Sequence, residues 1–237
     1  MSMSLDLLHK RLNWPSPEEI RNPSGEGAHI FAGLAQAKIE KAISLHPGAS
    51  DVKIGVLLRN PKAAATEAPL SIVAEFSEKV SDQTLSTLHR LAWNFSHSPS
   101  VVTIEPSLLR MWTCCEPPEK DRSVLDHVIE ELSFTDLATS QPSDITRQAV
   151  QALHWINLVS GEFFREHAER FRRDHRADQM LLANLQHVRH MLRDGGLTND
   201  DICHDLLARI VFVQFLFDRK DLKGKSALNK SKLISLH

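Results

Sequence analysis

The residues able to do chemistry are thinly spread along the 237-residue chain. Asp51 opens one alternating apolar run and Glu75 ends another, with Lys79 a little further on. Two carboxylates and a lysine brought together from adjacent strands can hold a divalent ion such as Mg²⁺ and position an attacking water for phosphodiester cleavage. The position two residues after Glu75, where strand alternation would aim the lysine, is Ser77, and Glu78-Lys79 lies outside that alternation. One acid of such a set therefore fits and its lysine is displaced. His187 and His190 are three apart on a helical pattern and share a face, but no further ligands converge there in sequence. Cys114 and Cys115 must point to opposite sides of a strand, which is the expectation for buried structural thiols. No G-x-S-x-G nucleophile turn is present, nor any G-x-x-x-x-G-K-[ST] or G-x-G-x-x-G phosphate loop. The residues themselves argue for no cofactor site.

The arginines form a denser cluster. Arg165, Arg170, Arg172, Arg173, Arg176, Arg189 and Arg193 stand against Glu166, Glu169, Asp174 and Asp178, a net of about +3. Arg172, Arg173 and Arg176 share a helical neighbourhood, where guanidinium groups can take phosphate oxygens bidentately and so contact DNA. The plainer alternative is a solvated helix laced with the pairs Arg165–Glu169 and Glu166–Arg170. Lys223, Lys225, Lys230 and Lys232 add positive charge with no acid after Asp221.

Composition sets the bounds on these readings. With 28 Lys+Arg against 30 Asp+Glu the formal charge is −2, so nucleic acid would be held by a local patch and not by the global field. Hydrophobic residues make up 42% and charged residues 24%, the balance of a globular chain with a sizeable core. No run approaches the roughly 18–20 apolar residues of a membrane span, so no membrane partner is expected. Met1 to Trp14 carries Asp6, His9, Lys10 and Arg11 among its apolar residues and does not read as a signal peptide. Three cysteines without C-x-x-C spacing fit a reducing, cytoplasmic setting.

The elements that must position these residues follow from periodicity. A short first helix gives way to a Pro- and Gly-punctuated stretch through Gly27. Helical spacing predicts a helix from His29 to Leu45, stopped at Pro47-Gly48. Alternation predicts strands over Val52–Leu58, Leu70–Val73, Val101–Ile104 and Leu108–Cys115, with a helix over Asp82–Phe95 between the second and third. Pro117-Pro118 closes the fourth strand. Beyond Lys120 the pattern reads as helical throughout: Val124–Leu132, Ile145–Phe171, Ala177–Leu192 and Asn199–Arg219. The last of these is apolar nearly all round at Ile210–Val213 and Phe215–Phe217, as in a helix buried at the centre of a larger body.

Two stretches are more particular than packing requires. One runs from Leu88-His89-Arg90-Leu91-Ala92-Trp93-Asn94-Phe95 through Pro99 to Leu109-Arg110-Met111-Trp112; the other runs from Gly195-Gly196-Leu197 to Leu206–Arg219. Together they resemble the region ahead of the catalytic domain in large bacterial adenine-specific DNA methyltransferases of the type II restriction–modification class, including relatives in phage-defence clusters. Phe163–Arg173 followed by Leu181–Leu185 looks like the link between them. The resemblance spans roughly residues 50–237.

The resemblance implies an accessory module, non-catalytic alone, with DNA and a methyltransferase catalytic domain, in cis or in trans, as partners. It implies S-adenosylmethionine as the cofactor of a downstream domain, since the family's glycine-rich cofactor motif and N-P-P-[YF] motif are missing here: Asn22-Pro23-Ser24 and Asn60-Pro61-Lys62 do not match. On that expectation the chain ends where the catalytic domain would begin. The expected fold class is α+β, a small mixed sheet with flanking helices in a degenerate restriction-endonuclease-like arrangement, followed by an all-helical domain. The expected boundaries are 1–27 for a helix and loop, 28–118 for the α/β part, 121–220 for the helical part and 221–237 for a linker. Two alternatives stand beside it: a metal-dependent DNA nuclease using Asp51, Glu75 and Lys79, with Mg²⁺ required only there, and a structural interaction domain in a defence complex.

Overall fold

The computed structural model describes residues 3–25, 27–62, 68–95, 97–118, 123–172 and 176–218. They fall into two compact units, Met1–Gln179 and Met180–His237. The first is built on an open five-stranded sheet whose spatial order follows the chain: β1 (Lys53–Leu57), β2 (Ser71–Glu75), β3 (Ser100–Glu105), β4 (Leu108–Thr113) and β5 (Val128–Ser133). β1 pairs antiparallel with β2, and β3–β4–β5 form an antiparallel meander. β2 and β3 are parallel, joined through helix α5 (Asp82–Phe95), because a parallel pair needs a long crossover. The fold is thus α+β with a mixed sheet and flanking helices.

Both faces of the sheet are covered, and strand alternation sorts the side chains between them. Ile54, Val56, Ile72, Ala74, Val101 and Trp112 enter one core with Ile39 and Ile43 of the α3 (Ala28–Ala35) to α4 (Lys41–Ile43) segment and with Leu85, Leu88 and Ala92 of α5. Leu57, Val73, Val102, Ile104, Leu109 and Met111 enter the other. That second core takes Leu5, Leu8 and Leu12 from α1 (Met3–Leu12) and Ile20 from α2 (Pro17–Arg21). It also takes Phe134 and Leu137 from α6 (Phe134–Leu137), Ala149 from α7 (Asp144–Ala152), Leu158 from α8 (Trp155–Ser160) and Phe163 from α9 (Glu162–Glu166). The N-terminal segment therefore packs on the sheet, and Trp14 Nε1 donates to Leu153 O at 2.8 Å, tying it to the end of α7.

Strands β1 to β4 and α5 lie where alternation and helical spacing place them. Two segments differ. Residues 124–132, expected as a helix, form a 3₁₀ turn (Val124–His127) followed by β5. Val124, Leu125, Val128, Ile129 and Leu132 satisfy a helical period, but the open hydrogen-bonding edge of β4 decides the matter. In the strand, Leu132 is buried and Glu131 accepts from Arg110 Nε at 2.9 Å. Likewise the helix expected over 145–171 is broken into α7, α8, α9 and a 3₁₀ turn (Ala168–Phe171). His154 caps the backbone N–H of Ile156, and Gly161, at φ +80°, ends α8 as only glycine does without strain.

The helix expected over 29–45 contains a π-helical turn at Gln36–Glu40. The Glu40 carboxylate accepts from Ile54 N at 2.8 Å, and Gln36 Nε2 donates to Ile54 O at 3.2 Å. Side chains thus satisfy the outer edge of β1, which would otherwise invite another strand.

Gly55 sits where α2 crosses β1, and a Cβ built there would lie 2.6 Å from Ile20 O and 2.8 Å from Ile20 Cγ2. A methyl group must push the backbone of α2 off the sheet. Gly55→Ala is expected to cost about 2–3 kcal/mol and to lower Tm by roughly 5–10 °C in a thermal melt. An unchanged Tm would mean that α2 is not seated on β1.

The described part of the second unit holds most of α10 (Ala177–Asp194) and all of α11 (Asp200–Asp218). Gly195-Gly196 turns the chain between them, with Leu197 N bonded to Leu192 O. Asn199 Oδ1 caps α11 by accepting from Asp201 N and Ile202 N. The burial expected for the apolar run of α11 is not observed: Ile210 is 52% and Phe212 60% exposed. A helix apolar on several faces needs more than one neighbour, and the described part of this unit supplies only α10. The side chains of Phe215–Phe217 lie outside the described residues, as do the lysines of the tail. No helix among the described residues is long and apolar enough to cross a membrane.

Candidate functional site

The residues singled out from the sequence do not gather into one centre. Asp51 is exposed in the turn before β1, and Lys79 is exposed in the connection from β2 to α5. Glu75 ends β2 opposite Lys53, and its carboxylate is engaged by Arg21 of α2. Among the described residues no group of three His, Cys, Asp or Glu side chains is placed to hold a metal ion. His187 and His190 are both exposed on α10, where His190 Nδ1–H donates to Gln186 O at 2.8 Å. Cys114, Cys115 and Cys203 are buried and none is in a disulfide.

Of the arginine cluster, Arg172 is exposed just after the 3₁₀ turn, and Arg173 lies outside the described residues. Arg176 sits at the mouth of α10, half-buried; its Nε is 3.5 Å from Asp178 Oδ1 and makes no hydrogen bond. The pairs expected along an unbroken helix do not form as drawn. Arg165 pairs with Glu162, and Arg170 turns away to the sheet, because the helix ends at Glu166 and the i,i+4 geometry ends with it.

Arg170 is the hub of a polar network that spacing did not reveal. Its Nε donates to Glu116 Oε1 at 2.6 Å, and its terminal nitrogen donates to Asp126 O at 2.7 Å. Thr113 Oγ1 donates to Arg170 O at 2.6 Å, so both ends of the residue are held to β4 and its exit. His127 Nδ1–H donates to Glu116 Oε2 at 3.0 Å. The His127 ring stacks on that of His89 in α5, with centroids 4.1 Å apart and planes 18° from parallel. His89 Nε2–H donates to Thr113 O at 2.8 Å, which fixes its neutral tautomer.

Burial pushes the His89 pKa down to about 4, and the neighbouring His127 acts in the same direction. For Glu116, burial opposes the charge, but the Arg170 hydrogen bond and charge, with His127, outweigh it and hold the carboxyl below its usual range. The network is therefore a stack of a neutral imidazole on one that is hydrogen-bonded to a carboxylate, closed by a guanidinium. Its main structural effect is to pin the 3₁₀ turn, and with it the start of the arginine cluster, to the end of β4.

Beside this anchor lies a cavity of about 580 Å³. Leu70 and Cys115 form buried parts of its wall; Cys115 Sγ donates to Pro99 O at 3.7 Å. Phe164 and Phe171 meet edge to face, with centroids 4.9 Å apart, and form an aromatic corner. Among the described residues lining it, Arg59, His97 and Arg176 are basic and none carries a carboxylate. Pro69, Gly161 and Ala168 contribute small or rigid wall where larger side chains would fill the space. The volume is that of a small-molecule site, and Arg59 and Arg176 give it a basic side, with Asp178 Oδ1 3.5 Å from Arg176 Nε.

Neither the network nor the cavity was legible beforehand. Glu116 stands next to Pro117-Pro118 and reads as part of a turn, and His89 occupies a helix face shared with Leu85, Leu88 and Ala92. His89, His97, Phe164, Arg170, Phe171 and Arg176 fall in stretches that the sequence had marked, but nothing in their spacing joins them. No family model, curated protein or solved structure matches the chain.

Proposed function

We propose that this chain is an accessory module of an adenine-specific DNA methyltransferase of the restriction–modification or phage-defence class, working in the cytoplasm. In this reading it carries no methyl-transfer chemistry of its own. It supports an S-adenosylmethionine-dependent domain, supplied in cis or in trans, and takes the DNA backbone through Arg172, Arg173 and Arg176. The resemblance of residues 88–112 and 195–219 supports the class. The observation that supports the DNA contact is the cavity to which Arg59 and Arg176 both contribute, with no acidic residue among its described lining residues.

Exchanging Arg172, Arg173 and Arg176 together for alanine is expected to weaken duplex binding. The slope of log K against log salt should fall by about one unit per lost phosphate contact. Titration of labelled duplex at several salt concentrations reads this directly. Binding of the triple variant with the wild-type slope would remove the assignment.

The restriction-endonuclease-like identity of the sheet unit belongs to the same proposal, in a degenerate form. The order of strand, strand, helix, strand and strand supports it, while the engagement of Glu75 by Arg21 supports the loss of an ion-binding set. A second reading, a protein-interaction domain within a defence complex, is favoured by a different observation. Leu181, Leu182 and Met191 of α10 and Ile202, Ile210 and Phe212 of α11 are all exposed, more apolar side chain than two helices normally leave in water.

A further inference from the structure

We infer that the α10–α11 hairpin packs against the same hairpin of a second copy of this chain, around a two-fold axis. The inference names the partner that the interaction-domain reading leaves open, and it rests on that reading.

The hairpin has two flanks, and they differ in kind. One is a groove, with Leu182 and Gln186 of α10 on one wall and His204, Ala208 and Phe212 of α11 on the other. At about 100° per residue, Ile202, Leu206, Ile210 and Val213 share an arc of roughly 80° on the opposite side of α11. Leu181, Val188 and Met191 hold the corresponding side of α10. All seven are exposed, from 37% at Leu206 to 60% at Met191. Cys203, between the two arcs of α11, is buried, so α10 already covers the side of α11 that it can reach.

Area, charge and symmetry select a second copy as the occupant. At these exposures the seven side chains leave on the order of 600 Å² of apolar surface on each copy, about 1,200 Å² for a pair, which is where stable interfaces begin. The face itself is uncharged. Arg189 beside it pairs with Asp200 at 3.0 Å, and Arg209 pairs with Asp205 at 2.9 Å, so an apolar helix face suits it better than nucleic acid or a charged peptide.

Symmetry is the most specific of the three. An antiparallel pair of α11 helices crossing near Ala208 sets Ile202 against Val213 of the second copy and Leu206 against its Ile210. An antiparallel pair of α10 helices crossing at Asn184-Leu185 sets Leu181 against Val188. The two crossings lie at one height, since Leu185 and Ala208 line the same groove. A single two-fold axis therefore satisfies both rows, as a self-complementary interface requires. It also brings Asp205 of each copy toward Arg209 of the other at the rim.

Sedimentation equilibrium of the full chain, over about 1–100 μM, tests the inference. The expected mass at the upper end is twice the 26.7 kDa of one chain. Ile210→Glu puts two like charges into the apolar centre and should weaken association by about a hundredfold or more. Phe212→Glu, on the groove flank, should leave it within about twofold. Both residues are exposed, so both variants should keep their helical circular dichroism, and Leu206→Glu repeats the test should Ile210→Glu lose it. A wild-type chain that stays monomeric, a dimer that Ile210→Glu retains, or one that Phe212→Glu breaks instead overturns the inference. In the monomeric case a hydrophobic dye separates it from the reading beneath it. Dye bound by the wild type and lost in Ile210→Glu leaves an interaction face for another protein. No dye bound means that the chain covers the face itself, and the interaction-domain reading falls as well.

Discussion

Truncating Phe163 to alanine is expected to destabilise the first unit by about 3–5 kcal/mol, the range for a large aromatic removed from a closed core. Phe163 is fully buried beneath the sheet, in the same cluster as Leu8, Trp14, Val102 and Met111. Its ring also meets Phe164 at 5.5 Å and His167 at 4.8 Å, so little of the space can be refilled without moving α9. Denaturant unfolding followed by tryptophan fluorescence should show a lower midpoint with an unchanged slope. The test is architectural as well as energetic. If the loss is under about 1 kcal/mol, or if a separate early transition appears, then α7 to α9 do not share the cooperative unit of the sheet.

The second large effect is acid sensitivity of the stacked histidines. His89 has a folded pKa near 4 against 6.5 for the free side chain, so between those values the unfolded chain binds a proton that the folded chain refuses. Stability is then full above pH 6.5 and declines as pH falls, by a total of about 3 kcal/mol once pH 4 is passed. The groups facing His89 are His127, the Thr113 carbonyl and Glu116. Glu116, whose carboxyl is held below its usual range, adds a further loss in the same direction below its unfolded value. His89→Gln keeps a donor for Thr113 O but cannot titrate, and it should flatten the profile between pH 6.5 and 4. A wild-type profile that is level across this window, or a variant that keeps the full slope, would show that the stack is not what responds to acid.

How much of this was legible beforehand varies by element. Strands β1 to β4 could be read because each alternates side chains between two cores, and that period is visible in Ile54, Val56, Ile72, Val101 and Val102 without knowing what covers either face. β5 was not, because Val124, Leu125, Val128 and Leu132 satisfy a helical period equally well. The free edge of β4 selects the strand, and an edge is a property of the assembled sheet. The same holds for Glu40 and Gln36, whose role at the edge of β1 depends on a π-helical turn that no spacing announces.

The candidate site shows the division most sharply. By itself the sequence determined four of the five strands, the absence of a nucleotide loop or nucleophile turn, and the concentration of arginines after Arg165, because all three are matters of residue type and local spacing. Only the tertiary structure decided which arginine serves which purpose. Arg170 reaches Glu116 across 54 residues and becomes an anchor, while Arg176 lines a cavity with Arg59 and the Phe164–Phe171 corner. Such pairings join side chains whose separation along the chain carries no period. They exist only once the sheet and the helices over it have brought the end of β4 and the start of α10 to the same cavity.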